Sequence, residues 1–264
     1  MPSADINATH IHYRLDGPED QPVIMLSNSL ASDLSMWDPQ VPALLEAGYR
    51  VLRYDSRGHG QSAVPEGPYS MEMLCRDAVG LLDWLDLDRV YFCGLSKGGM
   101  VGQMLGRHYP KRLESLLLSS TAARMGPRDV WDERIALVRE QGMQAVADAT
   151  IERWFTKAGQ ARLPKEVARI RQMVLDTPVE GFCACCEAIR DMDQLDHLGS
   201  ITTPTLVAVG EHDPGTTVAH AQEIQTRIPK ARLQIIPEAA HLVNVEQSGD
   251  FNRMLLNFLG PAGV

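Results

Sequence analysis

Val90-Tyr91-Phe92-Cys93-Gly94-Leu95-Ser96-Lys97-Gly98-Gly99-Met100 is the stretch on which the fold turns. An apolar run, set off by Asp88-Arg89, ends in a glycine, passes through Gly94-x-Ser96-x-Gly98 and enters a helix-forming segment. The pattern reads as a buried strand that bends sharply into a helix with a serine at the tip, a nucleophile elbow. The spacing has a steric cause. The chain must reverse within a few residues, which predicts a strained, positive-φ backbone at Ser96. Gly94 and Gly98 take Cβ atoms out of the crowded sides of the turn, and Gly99 predicts close helix–strand contact. The hydroxyl then stands over a helix N-terminus, where backbone N–H groups can receive a developing negative charge.

A five-residue pattern arises by chance. It gains weight when an acid and a histidine follow past later strands in the order Ser, Asp, His. Working outward, Val23-Ile24-Met25-Leu26-Ser27 reads as a parallel strand buried on both faces. Leu113–Ser120 reads as another buried strand, and Tyr49–Tyr54, Thr205–Val209 and Leu233–Ile236 read as further strands of the sheet. Ile6–Leu15 reads as an edge strand starting a hairpin, with His10 and His12 on an exposed face. Helical stretches separate the strands: a capped one near Asp33–Glu46, then Met71–Leu87, Gly98–Tyr109 and a closing Val245–Leu259. From Ala122 to about Asp196 the periodicity is helical without a strand, broken at Pro127, Gly142, Gly159, Pro164 and Pro178. The reading is a mostly parallel, eight-stranded α/β sheet with helices on both faces. The core is residues 1–121 and 197–264. Residues 122–196 form a helical cap inserted after the sixth strand, over the serine. Trp131, Trp154 and Phe155 are candidates to line an apolar pocket beneath it.

Asp213, in Gly210-Glu211-His212-Asp213-Pro214, and His241, in Pro237-Glu238-Ala239-Ala240-His241, follow the last two strands. All C-terminal strand ends of a parallel sheet lie on one edge, so Ser96, Asp213 and His241 can converge. A serine hydroxyl needs a base, and the base needs an acid to hold its tautomer. Glu211 and His212 are rivals, set aside because Asp213 lies deeper in its loop and His212 would have to fold back. His59, between Gly58 and Gly60, reads as architectural. The loop Asn28-Ser29-Leu30-Ala31-Ser32 is placed to supply a second oxyanion donor, the N–H of Leu30, beside that of Lys97.

The formal charge of −9 argues against a nucleic-acid partner. No run approaches the ~18 apolar residues of a membrane span. The first residues lack a signal-peptide pattern, so the cytoplasm is the expected address. Of five cysteines, Cys75 and Cys93 read as core residues; Cys183, Cys185 and Cys186 sit on a helical stretch and read as packing rather than a zinc or redox site.

The segments LSNSLASDLSMWDPQ, RVLRYDSRGHGQS, FCGLSKGGMVGQ, STAARMG, ERWFT, EGFCACCEAIRDMD and AAHLVNVE resemble the 3-oxoadipate enol-lactonases, a branch of the α/β-hydrolase superfamily. The resemblance spans nearly the whole chain. It implies an α/β-hydrolase fold and hydrolysis of the 3-oxoadipate enol-lactone ring to 3-oxoadipate, without cofactor or metal, late in bacterial aromatic-acid degradation. It also implies Ser96 as nucleophile, Asp213 as acid, His241 as base, and Leu30 and Lys97 N–H as oxyanion donors. Two departures stand out. Lys97 replaces a plain hydrophobe; it can pair with a substrate carboxylate or pack its stem on the cap with its amine in water. Thr216-Thr217 replaces a proline-containing run. Asn28, Trp131, Arg134 and Trp154 are candidate substrate contacts. A broader carboxylesterase or lactonase, and a receptor that retains the triad, are the competing expectations.

Overall fold

The structure is a computed structural model that describes residues 2–261, and counts refer to those residues. Residue 1 and residues 262–264, at the ends of the expected core, lie outside the described residues. The strands are β1 (Ser3–Ile6), β2 (Thr9–Asp16), β3 (Val23–Ser27), β4 (Arg50–Tyr54), β5 (Val90–Leu95), β6 (Leu113–Ser119), β7 (Thr205–Gly210) and β8 (Arg232–Ile236). They form one sheet in the order β1-β2-β4-β3-β5-β6-β7-β8. Pairing from β4 across to β8 is parallel, and β1 and β2 add an antiparallel edge. The central strands are apolar because helices cover them on both sides; every residue of β3 and β7 is buried.

The core helices are α1 (Val41–Glu46), α2 (Met71–Trp84) and α3 (Lys97–His108). Between β6 and β7 come α4 (Arg128–Gln141), α5 (Gln144–Trp154), α6 (Lys157–Arg162), α7 (Pro164–Leu175) and α8 (Val179–Arg190). The chain closes with α9 (Val218–Arg227), α10 (Val243–Glu246) and α11 (Ser248–Leu259). Ser70 starts α2 by accepting from the Met73 N–H at 3.2 Å, and the helix buries the stripe Met71, Leu74, Cys75, Ala78, Leu81 and Leu82. At the neck of the segment between β6 and β7, Arg124 bridges Asp193 and the Gln194 N–H donates to the Ala123 carbonyl at 2.9 Å.

Several local expectations need correction. Ile6–Leu15 is not one strand: it spans the turn and second strand of a hairpin, Ser3–Asp16, whose turn falls at Asn7 and Ala8, both at positive φ. His12 is buried, not exposed: antiparallel pairing of β2 with β4 sets it beside Asp55, and its Nδ1 lies 2.8 Å from Asp55 Oδ2. Asp33–Glu46 is two short helices. Asp33 caps a 3-10 turn at Leu34–Trp37, and Pro39 and Pro42 confine α1 to a separate start. Val245–Leu259 is likewise split, at Gln247. Gly159 does not break the cap; it lies inside α6. The five cysteines are free and buried, three of them on α8.

Candidate active site

Ser96 is the N-cap of α3, with φ 57° and ψ −115°, the strained geometry its spacing predicts. The turn is clamped from both sides. Its N–H donates to the Ser119 carbonyl of β6 at 2.9 Å, and the Thr121 hydroxyl donates to its carbonyl at 2.8 Å. A Cβ at Gly94 would overlap the Gly98 carbonyl, and one at Gly98 would overlap the Ser27 carbonyl, so neither position admits a side chain.

Past β7, Asp213 is held by its own turn. Its Oδ1 accepts from the N–H groups of Gly215 and Thr216, each at 2.9 Å. Its Oδ2 accepts from the Thr216 hydroxyl at 2.7 Å and lies 2.8 Å from His241 Nδ1. A carboxylate can only accept, so Nδ1 carries the ring proton and Nε2 is left as the acceptor. Burial pushes the Asp213 carboxyl upward; the adjoining His241 and the hydrogen bonds from His241 and Thr216 outweigh it and hold the group below its ordinary range. Trp154, at the end of α5, stacks on the His241 ring with centroids 6.2 Å apart and planes 28° apart. The rivals lie elsewhere: Glu211 and His212 are half exposed and face each other at 3.8 Å.

Ser96, Asp213 and His241 line one cavity of about 170 Å³. Its roof is the segment between β6 and β7: Trp131 and Arg134 of α4, Thr150, Arg153 and Trp154 of α5, and Phe182 of α8. Of the candidate contacts, Trp131, Arg134 and Trp154 line this cavity. Phe155 is not; it is buried away from this cavity.

The loop after β3 brings Ser29, Leu30 and Ala31 to the cavity floor. The N–H groups of Leu30 and Lys97 have no protein acceptor among the described residues, as oxyanion donors require. Asn28 does not reach the cavity. It is fully buried; its Nδ2 donates to the Tyr54 carbonyl at 2.8 Å and its Oδ1 accepts from Trp37 Nε1 at 3.0 Å. It braces the loop instead. His59 is architectural as expected: its Nε2 accepts from the Ala31 N–H at 3.0 Å. Burial, then the nearby Lys97 charge, pushes His59 well below its ordinary range, so it stays a neutral acceptor.

Lys97 is a larger correction. Its side chain neither lines the cavity nor reaches water; it is 1% exposed, and Nζ has no hydrogen-bond partner among the described residues. Burial lowers its pKa from 10.5, against the pull of Cys185, Asp55 and Asp77. The sign follows. Between the lowered value and 10.5 the unfolded chain binds a proton that the folded site resists, so this group's cost falls as pH rises through that window. Lys97→Met keeps the N–H and removes the orphaned amine. It is expected to raise unfolding stability by about 1–3 kcal/mol at neutral pH. Urea unfolding should show the gain shrinking toward pH 10.5, with turnover retained.

The profile of the alpha/beta hydrolase fold matches residues 22–248. The chain belongs to the α/β-hydrolase family. Among α/β hydrolases it is 39% identical over 242 residues to the 3-oxoadipate enol-lactonase 2 of Acinetobacter baylyi, covering 92% of this chain and 90% of that one. It is 33% identical to a proposed carbamate hydrolase, RutD, of Variovorax paradoxus, over 94% and 96% of the two chains. The crystal structure of the enol-lactonase from Burkholderia xenovorans superimposes with a TM-score of 0.95 at 43% identity, over 98% and 99% of the chains.

Among the cavity residues of this α/β hydrolase that the sequence reading did not assign to the site are Thr216 and Arg153. Thr216 donates to the acid through a hydroxyl that the sequence marked only as a departure from a proline run. Arg153 looks, in sequence, like any basic residue near a helix C-terminus. In the structure it is half-buried on the cavity wall, held below its ordinary range by burial and by Arg134. The alternation of Thr150, Arg153 and Trp154 on one helical face is the signal that points inward.

Proposed function

We propose that the chain hydrolyses an enol-lactone bearing a free carboxylate, 3-oxoadipate enol-lactone to 3-oxoadipate, in the breakdown of aromatic acids. The observation that carries this reading is the pair of guanidinium groups on the cavity wall. Arg134 stacks over Trp131 at 4.7 Å and Arg153 contacts only the Thr150 hydroxyl, at 3.2 Å; neither has a carboxylate partner among the described residues. Two unpaired cations beside apolar Trp131, Val130 and Met125 suit a small apolar ring with one anionic arm. The cavity is below the roughly 300–1,000 Å³ of drug-sized sites, so a short acid fits better than a long acyl tail. Relatives named as enol-lactonases support the same substrate.

In the proposed mechanism Ser96 attacks the lactone carbonyl while His241 Nε2 takes its proton. The N–H groups of Leu30 and Lys97 hold the oxyanion. The C–O bond of the ring breaks, and His241 returns the proton to the enolate oxygen, giving an acyl-enzyme. Water, deprotonated by His241, then attacks the acyl carbon, the ester bond to Ser96 Oγ breaks, His241 returns the proton to Ser96, and the freed enol tautomerises to the 3-oxo diacid. Arg134→Met and Arg153→Met are each expected to raise KM about tenfold for a carboxylate-bearing lactone and to leave a neutral lactone within twofold. Equal kcat/KM for charged and neutral lactones in the parent enzyme would overturn the reading. A second reading, hydrolysis of a different small acyl or carbamoyl group, rests on the likeness to RutD. Including a carbamate and simple p-nitrophenyl esters in the same panel decides between them.

A further inference from the structure

The structure assigns to Glu246 the task of fixing the roof and the candidate base in one piece, as a positioning residue that does not touch substrate. Glu246 is buried at the end of α10, five residues past His241, and does not line the cavity. Its two carboxylate oxygens are split between two parts of the molecule. Oε2 accepts from the Ala240 N–H at 2.7 Å, at the peptide just before His241. Oε1 accepts from the Thr156 N–H at 2.9 Å and from the Thr156 hydroxyl at 2.6 Å, at the joint between α5 and α6. The same hydroxyl accepts from the Gly159 N–H at 2.9 Å, so α6 starts against this carboxylate. A Cβ on Gly159 would overlap Oε1, which gives the glycine inside α6 its reason. Two further bonds sew the same seam: the Leu242 N–H donates to the Trp154 carbonyl at 3.0 Å, and Arg162 donates to the Glu246 carbonyl at 2.7 Å.

The consequence lies two residues from Thr156. Trp154 stacks on the His241 ring. One carboxylate therefore holds the main chain beside both members of that stack. Without it the α5–α6 joint can shift while the His241 loop stays, or the reverse, and the stack opens. This assignment takes His241 as the base, as in the function proposed above, but its first readout does not require turnover.

An indole held in one geometry against another ring gives a near-ultraviolet circular dichroism transition, and one that moves freely loses it. Native near-ultraviolet circular dichroism should thus show a Trp154 transition, which the Trp154→Phe control lacks. In Glu246→Gln the amide sets an N–H group against the Ala240 N–H, two donors facing each other. The expected result is a transition amplitude at least halved at native pH and temperature. A fall of about 10–100-fold in kcat should accompany it, on the lactone and on p-nitrophenyl acetate alike. A role in stability alone would lower Tm and leave the amplitude and both kcat values unchanged; that outcome overturns the proposal. A loss confined to the lactone would also overturn it, since only the roof would then depend on Glu246. Should Glu246→Gln fail to fold, Thr156→Val removes one donor to the same carboxylate, and an unchanged amplitude there refutes the assignment. Lactone inactivity of the parent enzyme alongside a Trp154-dependent transition that Glu246→Gln removes would sink the substrate reading while sustaining this one.

Discussion

Ser96→Ala is expected to lower kcat by about a million-fold, leaving only what the oxyanion donors and binding provide. The size follows from the proposed covalent route, in which no acyl-enzyme forms without the hydroxyl and water must attack the substrate directly in a site shaped for another geometry. The variant is a clean test because the fold does not lean on the hydroxyl. Ser96 makes no capping bond to α3, and the clamp on the turn runs through its N–H and carbonyl, which alanine keeps. Alanine inherits the same φ of 57°, so the strain is neither relieved nor worsened. Melting temperature should stay within a degree or two while turnover collapses. Lactone hydrolysis within a hundredfold of the parent enzyme would remove Ser96 from the chemistry.

Asp213→Asn is expected to cost about 10⁴-fold in kcat with the backbone unmoved. The surrounding donors dictate how the amide must sit. Two N–H groups point at Oδ1, so the asparagine oxygen is held there and its NH₂ takes the place of Oδ2. That NH₂ faces His241 Nδ1, which must then accept. The ring proton moves to Nε2, where it blocks the position that should take the proton from Ser96. The Thr216 hydroxyl, which donates to Oδ2, must also turn away or lose its bond, adding about 1 kcal/mol of instability. A neutron crystal structure of the variant, or imidazole nitrogen NMR shifts, showing Nδ1 unprotonated would check the tautomer argument directly. Parent-like kcat would refute it.

What could be read from sequence follows the range of the interaction. The elbow is local: five residues carry their own steric reason, and Ser96 has the positive φ they require. Asp213 and His241 sit in punctuated loops after apolar runs, and strand parity places such loops on one edge. His12 could not be read the same way. Alternation assigns it a face, but its burial depends on Asp55, 43 residues away and across an antiparallel pair. Asn28 was legible as a loop residue beside the site, whereas its two amide bonds to Tyr54 and Trp37 depend on how the following helices dock. Lys97 inverted the ordinary rule that lysines reach water, because α3 enters the core directly under the elbow. Gly159 reads as a breaker until the carboxylate beside it is known.

The neck where Ala123 meets Gln194 and Arg124 meets Asp193 has a consequence for descent. Because both ends of the roof leave and rejoin the sheet at one knot of main chain, the enclosed cassette can be transplanted or redrawn without stretching a strand or reopening a long loop. Such a graft has to reproduce several matching seams: the Thr156 hydroxyl and Gly159 gap that receive Glu246, the close approach of Gly181 to Gly58, and the bonds from Arg169 to Ser35.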